Sequence, residues 1–236
     1  MQFKIHKAAT RGAADHGWLD ARHTYSFADY RDPERMGFGK LRVLNDDVIQ
    51  PSMGFDTHPH ENMEIVSVPI KGALRHKDSM GNQSVISAGE VQIMSAGTGV
   101  RHSEYNDSDS EVVNLLQIWV YPKEKDIEPR YEQKEFLAEG RQNKFQLTVS
   151  PDREAGSVYI NQDAWFSLAN IDKDQTVDYP LHQNGNGVYV FVIAGSVLLG
   201  EEVLENRDGV EVTDTDKVNF TAKEDSQILC IEIPLT

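Results

Sequence analysis

A single cysteine, Cys230, leaves the chain without an internal disulfide, and its Leu229-Cys230-Ile231 setting reads as a strand in which the thiol serves as a small apolar group. A reducing compartment, the cytoplasm, is the expected location. Basic residues are the second shortage: 23 Lys and Arg stand against 38 Asp and Glu, for a formal net charge of −15. An acidic surface repels phosphate backbones, so direct nucleic-acid binding is not expected, whereas a basic protein partner is permitted. The third absence is a long hydrophobic run. The longest apolar stretch, Val188 to Gly200, falls well short of the ~20 residues that cross a bilayer, and Lys4, His6 and Lys7 lead into no apolar leader segment. No membrane association is expected. What the chain does have is volume: 236 residues, 39% of them hydrophobic, suit one large β-rich domain or two small ones and argue against disorder.

Apolar residues alternate along this chain far more often than they recur at intervals of three and four. Leu41 to Leu44, Ile65 to Ile70, Val91 to Met94, Val112 to Tyr121, Phe145 to Val149, Val188 to Leu199, Val218 to Phe220 and Ile228 to Ile233 are short and rich in β-branched or aromatic residues. Gly, Asn, Asp and Pro clusters separate them. This spacing predicts an all-β sandwich or barrel architecture. Only Ala28 to Arg35 and Glu132 to Gly140 have helical flavour, so helices are expected to be few and short. The charged stretch from Pro122 to Glu139 is the best boundary, dividing an N-terminal domain, 1–133, from a C-terminal one, 134–236.

A weak internal repeat fits two halves. A shift of 123 residues lays Ile70-Lys71-Gly72-Ala73-Leu74 on Ile193-Ala194-Gly195-Ser196-Val197, each a strand that enters and leaves a glycine turn. The same shift sets Leu181 and Gln183 opposite His58 and His60, so only the first half keeps the histidines.

Thr57-His58-Pro59-His60 is the strongest local signal for chemistry. Strand side chains alternate faces, so His58 and His60 point the same way and can reach one metal ion. Imidazole pairs suit Fe, Zn, Ni, Cu or Mn. In Gly97-Thr98-Gly99-Val100-Arg101-His102-Ser103-Glu104 the period of two again places an imidazole, His102, and a carboxylate, Glu104, on one face. Three His and one carboxylate leave open positions on a five- or six-coordinate metal, as a catalytic ion requires. A lone H-x-H pair is more often solvent-facing or part of a hydrogen-bond network, and the second pair is what raises the metal reading.

These motifs, with Glu64-Ile65-Val66, Arg75 to Asn82, Arg22 to Tyr30 and Gly37 to Val43, resemble the pirin family of the cupin superfamily. The resemblance is dense over about residues 15 to 122. It implies a bicupin, two β-sandwich or jelly-roll barrel domains facing each other, with one mononuclear metal, iron(II) by expectation, in the N-terminal domain and none in the C-terminal one. Carried over by motif, the family's ligands fall on His58, His60, His102 and Glu104. Bacterial members with which the chain shares these motifs cleave flavonols such as quercetin with O₂, releasing carbon monoxide. The eukaryotic namesake is described as a transcription cofactor, which supplies the alternative of a metal-containing redox sensor that binds a protein partner.

In the leading expectation a flavonol-like enol ionises on the metal and Glu104 acts as the catalytic base. Glu64 shares a face with His58 and His60 if no bulge intervenes, and a hydrogen bond to a ligand or a structural role is expected for it ahead of direct ligation. His23 reads as a packed histidine, His76 as a turn residue and His182 as isolated. Gln117, Trp119, Tyr121, Met53, Phe55 and Met94 read as core before pocket. A chain that covers its own sheet edges is expected to be a monomer.

Overall fold

A computed structural model describes residues 1–236. The all-β expectation is met: apart from three single-turn 3₁₀ helices, the regular structure is strand. In the N-terminal half a seven-stranded sheet runs in the order Arg130–Glu135, Glu90–Ser95, Glu64–Lys71, Val113–Val120, Leu41–Ile49, Leu19–His23, Gly12–Asp15. A four-stranded sheet, ordered Gly54–His60, Val100–Asn106, Ala73–Asp78, Gln83–Ser87, packs on it. The C-terminal half repeats the plan. Its large sheet is ordered Gln2–His6, Gly209–Thr213, Asn186–Ala194, Ser226–Pro234, Trp165–Ile171, Gln146–Ser150, Val158–Tyr159, and its small one Thr176–Pro180, Lys217–Ala222, Val197–Leu199, Glu202–Leu204.

One outer strand crosses between the halves. Gln2–His6 pairs with Gly209–Thr213 of the C-terminal sheet. The expected division after residue 133 falls inside Arg130–Glu135, which pairs along its whole length with Glu90–Ser95. The helical reading of Glu132 to Gly140 is therefore corrected: its first part is this strand, and only Ala138–Arg141 turns, as a 3₁₀ helix. Period-two packing along a sheet edge outweighs a weak helical propensity there. Ala28 to Arg35 also forms no helix, since Ala28 takes a φ of 49° and the segment is a run of turns.

Strands buried on both faces explain the near-continuous apolar runs. In Val113–Val120, Leu116, Ile118 and Val120 face the C-terminal half, while Val113 and Leu115 face the interior of their own sandwich. The two large sheets thus meet through one core of 24 buried residues drawn from both halves, including Val66, Leu116, Phe166, Phe191 and Ile231. Inside the C-terminal sandwich, 17 buried apolar residues form one continuous cluster. Inside the N-terminal sandwich the apolar filling is split into a group of seven around Leu74 and Leu115 and a group of four around Ile65 and Met94. A polar site lies in this half.

The repeat is visible in the registers. Gly72 and Gly195, 123 residues apart, both turn with positive φ, 77° and 83°. Leu74 lies opposite Asn106, and Val197 opposite Ala222, so Val218 and Phe220 stand where the first half has His102 and Glu104. His58 lies opposite His102, and Tyr179 opposite Val218. Tyr179, and not Leu181, is thus the counterpart of His58, because the offset shortens by two residues across this strand.

Candidate metal centre

His58 and His60 lie on Gly54–His60 with the exposed Thr57 and Pro59 between and before them, so the period-two argument holds locally. The partner strand, Val100–Asn106, buries His102 and Glu104 while Arg101 faces out. Between the two strands His102 faces His58 but Glu104 faces Phe55, so a bulge absorbs one extra residue of the first strand at Asp56 and Thr57. That bulge brings the Asp56 carbonyl back onto His58. The Nδ1 of His58 donates to it at 2.7 Å, because a carbonyl can only accept, and Nε2 keeps its lone pair for a ligand role.

The three rings converge, with centroids 4.4 Å apart for His58 and His102, 4.9 Å for His58 and His60, and 4.8 Å for His60 and His102. One nitrogen of each lies within 4.8 Å of the others. His102 Nε2 is buried with no hydrogen-bond partner, and its Nδ1 is 3.1 Å from His76 Nε2. Burial first, then the neighbouring imidazoles, pushes His60 and His102 down to about 3, so both rings are neutral donors at ordinary pH. Three converging imidazoles, one of them with an orphaned nitrogen, suit a first-row divalent ion.

Glu104 stands in the same cavity but outside that trio. Its Oε2 accepts from Gln117 Nε2 at 2.9 Å, and Ser67 Oγ lies 3.3 Å from its Oε1 and 3.0 Å from Gln117 Oε1, with one proton to offer either. The carboxylate is buried with no Lys or Arg partner. The cavity, about 170 Å³, is lined by His58, His60, Glu104, Gln117, Asn45 and Asp47, with Phe27, Phe55 and Trp119 on its apolar side. Asp47 escaped the sequence reading. Burial, then Asp46 and Glu104, pushes its carboxyl up to about 8. Its signal was present: Asn45 and Asp47, two apart, continue the inward face that ends at Ile49.

Several expectations change. Gln117, Trp119 and Phe55, read as core, line the cavity, while Tyr121 and Met53 are exposed and Met94 packs with Ile65. His76 is no turn residue; it is fully buried in the strand Ala73–Asp78 and bonded to His102. A charged hairpin sequence hid an inward face of Leu74, His76 and Asp78. Glu64 does not share the histidines' face. The strand breaks at Glu61 to Met63, where Asn62 takes a φ of 48°, and parity restarts in the other sheet. Its carboxylate accepts from Ser95 Oγ at 2.8 Å and the Asn161 backbone N–H at 3.1 Å, a structural role at the seam of the halves. His23 is packed as expected, with Nδ1 2.9 Å from Asn45 Oδ1. His182 is not isolated: it stacks on Trp165 and bonds to the buried Glu232 at 2.9 Å.

Paired β-sandwiches with an imidazole cluster in one of them define a two-domain cupin with one metal-binding half. A family model for pirin matches residues 3–120, and one described as the quercetinase C-terminal cupin domain matches 147–233. The chain belongs to the pirin family. It is 44% identical over 231 residues to a protein of Escherichia coli named quercetin 2,3-dioxygenase, with 98% of each chain covered. A Caulobacter vibrioides pirin-like protein is 40% identical over 222 residues, covering 94% of this chain and 95% of its own. The crystal structure of YhhW from E. coli superposes with a TM-score of 0.95 at 43% identity, covering 100% of this chain and 99% of that one. A second structure of that bacterial pirin, in complex with nickel(II), gives 0.94 at 42% identity with full coverage of both.

Proposed function

We propose that the protein is a metal-dependent dioxygenase that opens the ring of a flavonol-like substrate with O₂ and releases carbon monoxide. The observation that carries this reading is the convergence of the His58, His60 and His102 imidazoles, two of which line a cavity that also holds the buried Glu104 carboxyl group, hydrogen-bonded to Gln117 and Ser67. The similarity to a protein named quercetin 2,3-dioxygenase supports the substrate class. His58, His60 and His102 would hold the ion, with Glu104 as fourth ligand or neighbour, and the ion would supply Lewis acidity toward a substrate hydroxyl and redox chemistry toward dioxygen. Iron(II) is the proposed metal; the donor set also suits nickel(II), the ion in the relative's structure.

The chain's own work is positioning and proton transfer. Glu104 takes the hydroxyl proton on its carboxylate, and Gln117 and Ser67 hold that carboxylate toward the cavity. Asp47, whose carboxyl is raised by burial to about 8 in the metal-free protein, lines the same cavity. Phe27, Phe55 and Trp119 give the cavity an apolar side against which a substrate ring can pack. Free, buried Cys230 is in keeping with a cytoplasmic site of action. The test is anaerobic metal analysis followed by O₂ uptake with quercetin in protein reconstituted with iron(II) or nickel(II). Uptake that depends on metal and on His58 is the expected result; full uptake by metal-free His58→Ala overturns the reading.

A further inference from the structure

The metal cavity is too small for the substrate proposed above. Sites that enclose ligands of that size measure roughly 300–1,000 Å³, against about 170 Å³ here. A second cavity of about 560 Å³ adjoins it and is mostly apolar; Phe27 and Phe55 line both. Trp18 and Tyr30 line it but not the metal cavity.

Two aromatic files run from this vestibule to the metal imidazoles. Trp18 meets Phe55 edge-on at 5.2 Å, and Phe55 lies 6.3 Å from His58. On the other side Phe27 meets Trp119 edge-on at 5.3 Å, and Trp119 lies 4.9 Å from His60. Both files are only half-buried although they sit on strand and turn positions beside the core. Trp18 stacks on His16 at 6.5 Å and Tyr30 on His23 at 6.3 Å, yet both rings stay half-buried, and the ring area they leave open beside a metal site accepts flat rings by stacking or edge contacts.

Resting on the dioxygenase reading, we infer that this vestibule is the distal-ring subsite for the substrate. A planar phenol of linked or fused rings sends its chelating oxygens between Phe27 and Phe55 into the metal cavity, and its far ring lies against Trp18 and Tyr30. Specificity for several rings over one is set here, outside the reach of the ligand residues.

Binding to the nickel(II)-loaded protein under nitrogen, followed by calorimetry, tests this without turnover. Quercetin is compared with maltol, one ring bearing the same hydroxy-ketone pair. Wild type binds quercetin more tightly; Trp18→Ala and Tyr30→Ala each weaken it about tenfold and move maltol by less than about twofold. Ala14→Trp, which fills the vestibule from the strand Gly12–Asp15, weakens quercetin selectively without truncating any aromatic. Equal losses for both probes, or quercetin affinity unchanged across the three variants, overturn the subsite. So does a wild type that binds quercetin no better than maltol. Absence of O₂ uptake alongside selective quercetin loss sinks the dioxygenase reading and leaves the subsite standing.

Discussion

His76 Nε2 lies 3.1 Å from His102 Nδ1, both rings being buried on adjoining strands. The contact fixes the plane of His102 and leaves its Nε2 free of any protein partner, facing the role of a metal donor. Partners of this kind set the tautomer of a ligand histidine and are worth roughly 10–100-fold in metal affinity. His76→Leu, which fills the space without a hydrogen bond, is therefore expected to weaken metal binding by about that factor while His58 and His60 remain in place. Competition against a chelator measures it; an unchanged affinity means that strand packing alone aims His102.

Glu104 has two duties in the proposed chemistry, as neighbour of the metal and as acceptor of the substrate proton. Glu104→Gln keeps the hydrogen-bonding shape beside Gln117 and Ser67 but removes the basic oxygen. Turnover should fall by about 10²–10⁴-fold, with most of the metal retained. Metal content and O₂ uptake on the same sample separate the two duties: if metal and activity vanish together, ligation is the main one.

The fold and the site were legible to different depths. Alternation along Val113–Val120 announced a buried strand, and His58-Pro59-His60 announced two imidazoles on one face, because period two is local. The contacts of His76, Asp47 and Phe27 were not announced, since each depends on which strands become neighbours. Parity also fails across a break: Glu64 follows His60 by four residues, yet the turn at Asn62 hands it to the other sheet. The crossing of Gln2–His6 to the C-terminal sheet was likewise beyond reach, as its pairing partner lies some two hundred residues away. Long-range pairing, unlike periodicity, leaves little trace in a short window of sequence.

Metal binding should register as stability. An ion bound by residues from Gly54–His60 and Val100–Asn106 ties together two strands already joined by a bulged register, and a ligand that binds only the folded state raises its stability by mass action, about 2.7 kcal/mol at a hundredfold excess over its Kd. Chelator treatment should therefore lower the melting temperature of the wild type and leave His58→Ala and His60→Ala unmoved. A chelator effect of equal size in both variants would place the stabilising ion elsewhere.

His6 couples the two halves to pH. It belongs to the strand that crosses to the C-terminal sheet, and its ring sits 5.9 Å from both Tyr25 and Tyr189, one from each half. Burial first, then the positive charges of Arg35 and Lys4, pushes it down to about 4. In the unfolded chain the same imidazole titrates near its ordinary value of 6.5. Between these values the unfolded chain takes up a proton that the folded one refuses, so His6 contributes stability that is complete above pH 6.5 and is lost as pH falls toward 4. The limit of that loss is on the order of 3 kcal/mol. His60 and His102 act in the same direction in metal-free protein, so the informative quantity is the difference between wild type and His6→Gln. Denaturant midpoints taken from pH 7 to pH 4 should fall more steeply for the wild type, and parallel curves would show that His6 is protonated in the folded state without cost. A steeper fall accompanied by early exposure of Tyr25 and Tyr189 would locate the acid-sensitive contact at the seam between the halves.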